Sequence, residues 1–169
     1  MSAEKDAKGK PIVSPEYHFV PQDDDRMYYF DMDGTLADLY GVPNVFQRLD
    51  NNDATPYRDA KPIPNMVALL RQLQDDGHRI GVITALSRYP AGTPPDVMAR
   101  MDAETIAFKK QWLIDHNIHV DEFIAIPSSA DKFEAATDKT AVLVDDDTRV
   151  LATWYSDFIQ AIPENKMIK

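Results

Sequence analysis

The sequence predicts an α/β domain built on a parallel sheet with helices on its faces. Two observations point there: short β-branched runs alternate with helix-length amphipathic stretches along the chain, and unusual polar residues follow the ends of those runs. Strand–helix alternation favours parallel strands joined by right-handed crossovers. With 169 residues, 44% of them hydrophobic and 27% charged, the chain is sized for one domain with a full core.

Residues 1–26 are polar, rich in Lys, Asp and Pro, and without period, so they read as a flexible arm before a single domain over 27–169. Met27 to Met32 is a short aromatic run and a first strand. Residues 39–61, with Pro43, Pro56 and "NND", form an irregular or partly helical insertion. The next helix starts near Pro64, carries Val67, Leu70 and Leu73 on one stripe and stops at Gly77. "RIGVIT" (79–84) is the second strand, followed by a Pro-rich loop over 86–102. Asp102 is placed to cap a helix over about 103–116. "DEFIAIP" (121–127) is a third strand and "SSADKFEAAT" a brief capped helix. "TAVLVDDD" (140–147) is a fourth strand, "TRVLATWY" a helix and "DFIQAIP" (157–163) a fifth strand. Trp112 and Trp154 fall in helices and suit the core.

Composition narrows the function classes. There is no cysteine, which excludes disulfides and thiolate metal sites. A net charge of −10 argues against broad nucleic-acid binding, which needs a basic surface, but leaves room for a small phosphorylated ligand. No apolar run approaches the roughly 20 residues of a membrane span, and the first residues lack a signal-peptide core. A cytoplasmic protein is expected. The four histidines (His18, His78, His116, His119) show no catalytic or zinc-type spacing.

Ligands of open parallel sheets bind beyond the carboxyl ends of the strands. Here those ends carry Asp31 and Asp33, Thr84, and Asp145, Asp146 and Asp147. Carboxylates gathered at one partly buried edge repel one another by several kcal/mol, to an order of magnitude. A divalent cation relieves that repulsion, and Mg²⁺ suits a few carboxylates, a carbonyl and water. Mg²⁺ is therefore the expected cofactor.

"FDMDGTLAD" resembles the first motif of the haloacid dehalogenase (HAD) superfamily, Asp-x-Asp-Gly-Thr after a hydrophobic strand. "GVIT" is similar to its second motif and "VLVDD" to its fourth, in the right order over roughly residues 27–163. The resemblance implies a Rossmann-like core, five parallel strands in the order 3-2-1-4-5, with a small or minimal cap. It assigns Asp31 as nucleophile, forming an aspartyl-phosphate, and Asp33 as general acid and then base. It places Mg²⁺ between Asp31, the backbone carbonyl of Asp33 and Asp146, with Asp145 as ligand or support. Thr84 and the Ala85 backbone would hold the phosphate, with Gly34 giving the turn beside it.

The family also needs a lysine. Lys109, Lys110, Lys132 and Lys139 are candidates. Lys139 lies in the turn before the fourth strand, at the far end of the sheet. Lys109 and Lys110 sit well inside a helix, with one or both on its solvated face. Lys132 opens the helix after the third strand, at the edge where Asp31 lies, and is the choice.

The insertions 39–61 and 86–102 leave strand ends and should form the rim. They offer Tyr40, Phe46, Arg48, Tyr57, Arg58, Arg88 and Tyr89 to stack on a base or grip an anion. "VLVDDD…TW" is similar to the deoxyribonucleotidase group, and also to the 3′-phosphatase domain of polynucleotide kinase-phosphatases. The expected activity is Mg²⁺-dependent hydrolysis of a phosphomonoester, with a nucleoside monophosphate as candidate substrate. The alternatives are a 3′-phosphatase on nucleic-acid ends, a non-catalytic binding module on the same fold, and phosphoryl transfer or dehalogenation. The Asp33 acid disfavours dehalogenation, and the absence of "GxxxxGK[ST]" implies no attached kinase.

Overall fold

A computed structural model describes residues 12–13, 25–86 and 89–166. Among them, six parallel strands form one sheet in the order β1-β8-β7-β2-β5-β6. The strands are β1 Ile12–Val13, β2 Tyr28–Phe30, β5 Ile80–Ala85, β6 Glu122–Ile126, β7 Val142–Asp145 and β8 Phe158–Ala161. The five strands read from the sequence keep the order 3-2-1-4-5, and β1 adds a sixth at the β8 edge, pairing Ile12 with Gln160 and Val13 with Ala161. Thus two residues of the segment read as an arm lie in the sheet.

Side chains alternate across this sheet and both faces are buried, as parallel sheets require. Tyr28, Phe30, Ile80, Val82, Val142 and Val144 join one core, and Tyr29, Ile83 and Leu143 join the other. The first core is roofed by α3 (Pro64–Asp75) and α4 (Pro95–Asp115). In α3, Val67, Leu70 and Leu73 form the expected buried stripe, with Met66 and Leu69 beside it. Trp154 and Phe158 fill the second core.

The insertion after β2 holds β3 (Ala37–Asp38), a 3₁₀ turn (Leu39–Gly41), α1 (Val45–Asp50), α2 (Thr55–Asp59) and β4 (Lys61–Pro62). β3 and β4 pair antiparallel as a separate two-stranded sheet. The remaining helices are short: α5 (Lys132–Ala135), behind a 3₁₀ turn at Ser129–Asp131, and α6 (Thr148–Leu151). Trp154 is buried as expected but lies beyond the end of α6.

One boundary differs clearly. α4 begins at Pro95, behind an extended Pro94, so Asp102 is inside the helix and caps nothing. Proline at the first helical position has a preset φ and no N–H to lose, and Asp96 complements the helix N-terminus. The Pro-Pro-Asp run was therefore the start signal. No helix among the described residues is long and apolar enough to cross a membrane.

Candidate active site

The site grows from the pairing of β2 with its neighbours. Phe30 lies opposite Val144 on one side and Val82 on the other. The Asp31 N–H donates to the Val144 carbonyl at 3.0 Å, which sets Asp31 beside the residues leaving β7. The chain then turns sharply: the Met32 carbonyl accepts from the N–H groups of Thr35, Leu36 and Ala37. Gly34 sits in this turn at φ 84°, a left-handed conformation that glycine adopts without penalty. Met32 is 1% exposed and packs into the first core.

Two lysines enter this edge from opposite sides. Lys132 Nζ donates to Asp31 Oδ1 at 2.8 Å and to Asp145 Oδ2 at 3.0 Å. Lys109 Nζ donates to Asp33 Oδ2 at 2.8 Å, Thr84 Oγ1 at 2.6 Å and the Ala85 carbonyl at 2.9 Å. Both lysines are buried. The hydroxyl of Thr35, also buried, lies 3.1 Å from Asp31 Oδ2 and 2.9 Å from Asp146 Oδ1, able to donate to either. The Asp147 N–H donates to Asp145 Oδ1, while the Asp147 carboxylate accepts from the N–H of Arg149 and from its guanidinium.

Electrostatics separate the two leading carboxylates. Burial raises the pKa of Asp33, Lys109 opposes the rise and Asp31 reinforces it. Burial likewise pushes Asp145 up, helped by Asp31 and opposed by Lys132. For Lys132, burial favours the neutral amine, but Asp31 and Asp145 outweigh it and hold the ammonium charged.

The donor set fits a hard divalent cation. Asp31, Asp145 and Asp146 each offer an oxygen, and the three atoms lie within 4.8 Å of one another. The Asp33 side chain stands outside that group, turned to Lys109. Asp31 and Asp145 share the Lys132 ammonium, and Thr35 bridges Asp31 to Asp146. A Mg²⁺ bound among these three carboxylates would relieve their mutual repulsion.

Asp31, Asp33, Asp145, Asp146 and Lys132 line a cleft of about 460 Å³, with Tyr40, Ser129 and Arg149 also in its wall, while Lys109 and Thr84 are fully buried and outside that wall. Tyr40 is 54% exposed and stacks on Phe46, itself 64% exposed, with ring centroids 6.1 Å apart. Ala85 lines the cleft, and its neighbour Thr84 is buried. Arg48 turns instead into its own insertion, donating to Asp53, Thr55 and Asp59. Arg58 pairs with Asp59 and lies over the Phe108 ring. Tyr89 packs against the first core and donates to the Met98 carbonyl. Tyr57 is buried under Lys109, whose Nζ lies 4.8 Å from the ring centroid. Arg88 lies outside the described residues.

The lysine expectation needs one amendment. Lys132 reaches Asp31 as expected, and Lys139 instead donates to the Phe133 and Glu134 carbonyls. Lys110 is exposed, but Lys109 is buried at the site. A signal for it existed: Thr105, Lys109 and Leu113 recur every four residues on the face that carries Met101 and Trp112. Thr35, inside the first motif, and Ser129 and Arg149 of the cleft wall are further site residues given no role in advance.

No family model matches the chain, and no curated protein matches it. Among solved structures it is similar to a chain in the structure of a Pnkp1/Rnl/Hen1 complex, with a TM-score of 0.59 and 14% identity over 90% of this chain. A chain in the structure of the Pnkp1/Rnl/Hen1 RNA repair complex gives 0.58 and 14% over 90%. The chain spans about half the length of each, 51% and 47%. The likeness is one of fold.

Proposed function

We propose that the chain is a Mg²⁺-dependent phosphomonoester hydrolase acting through an aspartyl-phosphate on Asp31. The observation that carries this is the separate partnering of two carboxylates at one strand end, Asp31 by Lys132 and Asp33 by Lys109. Two carboxylates in distinct environments suit two distinct jobs.

In the first step an Asp31 oxygen attacks phosphorus while Asp33, its pKa raised by burial, gives its proton to the departing oxygen. In the second step Asp33 takes a proton from water, whose oxygen attacks phosphorus. The Asp31–phosphorus bond breaks and inorganic phosphate leaves. The Thr84 hydroxyl and backbone N–H groups hold the phosphate oxygens throughout. Asp31, Asp145 and Asp146 would hold Mg²⁺, which when bound neutralises charge between nucleophile and phosphate.

The exposed Tyr40–Phe46 stack at the mouth supports a substrate that carries an aromatic ring, and a nucleoside monophosphate fits. A second reading, a 3′-phosphate on a nucleic-acid end, is favoured by the fold likeness to a chain of an RNA repair complex. The test is a Mg²⁺-supplemented panel of nucleoside monophosphates, sugar phosphates and 3′-phosphorylated oligonucleotides. Asp31→Asn is expected to lower turnover by about 10³-fold or more while the protein still folds, and excess chelator to stop the wild-type reaction. Normal turnover in either case would refute the reading.

A further inference from the structure

We propose that Lys109 is a positioning residue for the leaving-group end of the site, dividing with Lys132 a task that one lysine was expected to perform. The inference rests on the phosphatase reading above.

The ammonium has three N–H donors, and all three are engaged: one by Asp33, one by Thr84 and one by the Ala85 carbonyl. The Tyr57 ring lies beside the group, its centroid 4.8 Å from Nζ. The group is therefore fixed in orientation. A lysine that only filled core volume would not be needed, because burying an ammonium is far more costly than burying Met or Leu. Its neighbours on the same helix face are the apolar Met101, Trp112 and Leu113 and the buried but uncharged Thr105.

Each bond has a chemical consequence. By donating to Thr84 Oγ1, Lys109 occupies a lone pair and leaves the hydroxyl proton to point elsewhere. Among the described residues no hydrogen bond uses that proton, and Thr84, though buried, adjoins Ala85 of the cleft wall, where a phosphate oxygen would accept it. By donating to Asp33 Oδ2, it fixes one carboxylate oxygen and leaves the other as the one to deliver a proton to the departing oxygen. A single ammonium thus sets the phosphate-binding hydroxyl and the proton donor in one frame. Tyr57 on α2 ties that frame to the rim insertion.

The experiment compares two esters of matched shape, phenyl phosphate and p-nitrophenyl phosphate. Nitrophenolate leaves readily without a proton; phenolate depends more on receiving one. Lys109→Met is expected to lower kcat/KM for phenyl phosphate about tenfold more than for p-nitrophenyl phosphate. It should also weaken inhibition by inorganic phosphate, and adding Thr84→Val should weaken it no further. Equal losses on the two esters, or additive effects on phosphate inhibition, would overturn the proposal. If the Met variant does not fold, Lys109→Gln carries the same comparison, because its shorter side chain cannot hold all three partners. A wild-type protein that hydrolyses neither ester removes the phosphatase reading and this inference together. A wild-type protein active on both, with equal losses in the variant, removes only the role of Lys109.

Discussion

Asp138 ends the approach to β7 in a tight turn, its carboxylate accepting from the Thr140 N–H at 2.9 Å and the Thr140 hydroxyl at 2.7 Å. Those bonds, the Thr140 hydroxyl foremost, outweigh burial and lower its pKa. A depressed carboxylate stabilises the fold above its unfolded pKa, and that stability is lost as pH falls through the folded value. Asp138→Ala should therefore lower stability by about 1 kcal/mol at neutral pH. The Tm gap to wild type should narrow once the pH drops below about 4, in a thermal-melt series. Such local chemistry is legible in "TDKT", as the site carboxylates are legible in "DMDG" and "VDDD". Lys109 was legible only as a position on the Met101–Trp112 face of α4, because whether a lysine there is solvated depends on what packs over it. Here Tyr57, from an insertion of irregular sequence, covers it.

Elements follow the same division. Strands appeared where β-branched and aromatic residues cluster, and β5 even extends one residue beyond Thr84. The first strand shortened to Tyr28–Phe30 because Met32 turns the chain, leaving the two aspartates on a loop rather than in the ladder. Between β2 and β5 the pairing contains a tight fit: Tyr29 lies opposite Gly81, and a Cβ on Gly81 would fall 2.5 Å from Tyr29 Cδ1 and Cε1. The glycine is needed for that ring, not for its φ. The ring in turn aims its hydroxyl at Glu122 and Thr137, both 3.1 Å away. Gly81→Ala should displace Tyr29 and lower stability by about 1–3 kcal/mol, read as a shift in denaturant midpoint. Adding Tyr29→Ala to it should cost less than the two single losses combined, since the clash is then gone.

At the scale of the whole molecule, charge and site pull in opposite directions. The chain carries a net charge of −10, yet the proposed substrate is an anion and the cleft already holds a surplus of carboxylates. Long-range repulsion should slow encounter at low ionic strength. With Mg²⁺ saturating, kcat/KM for a phosphomonoester should rise modestly, about twofold, between about 10 mM and 150 mM monovalent salt, as measured by initial rates. A fall over that range would mean that local cations such as Arg149 govern the approach. Strand–helix alternation made the parallel sheet legible, and the motif resemblance, not the alternation, implied its order. The pairing of β1 with β8 was not legible, since two residues carry too little pattern to stand out.

The place of β2 in the middle of the sheet has a bearing on synthesis. Its partner β7 is made more than a hundred residues later, and Lys132 joins Asp31 to Asp145 only once that strand has docked. A ribosome paused before residue 140 holds a polypeptide with Asp31, the proposed nucleophile, already made but two of its three clustered carboxylates missing. On the phosphatase reading, the chemistry is thereby withheld from the nascent chain until β7 has been made and has docked.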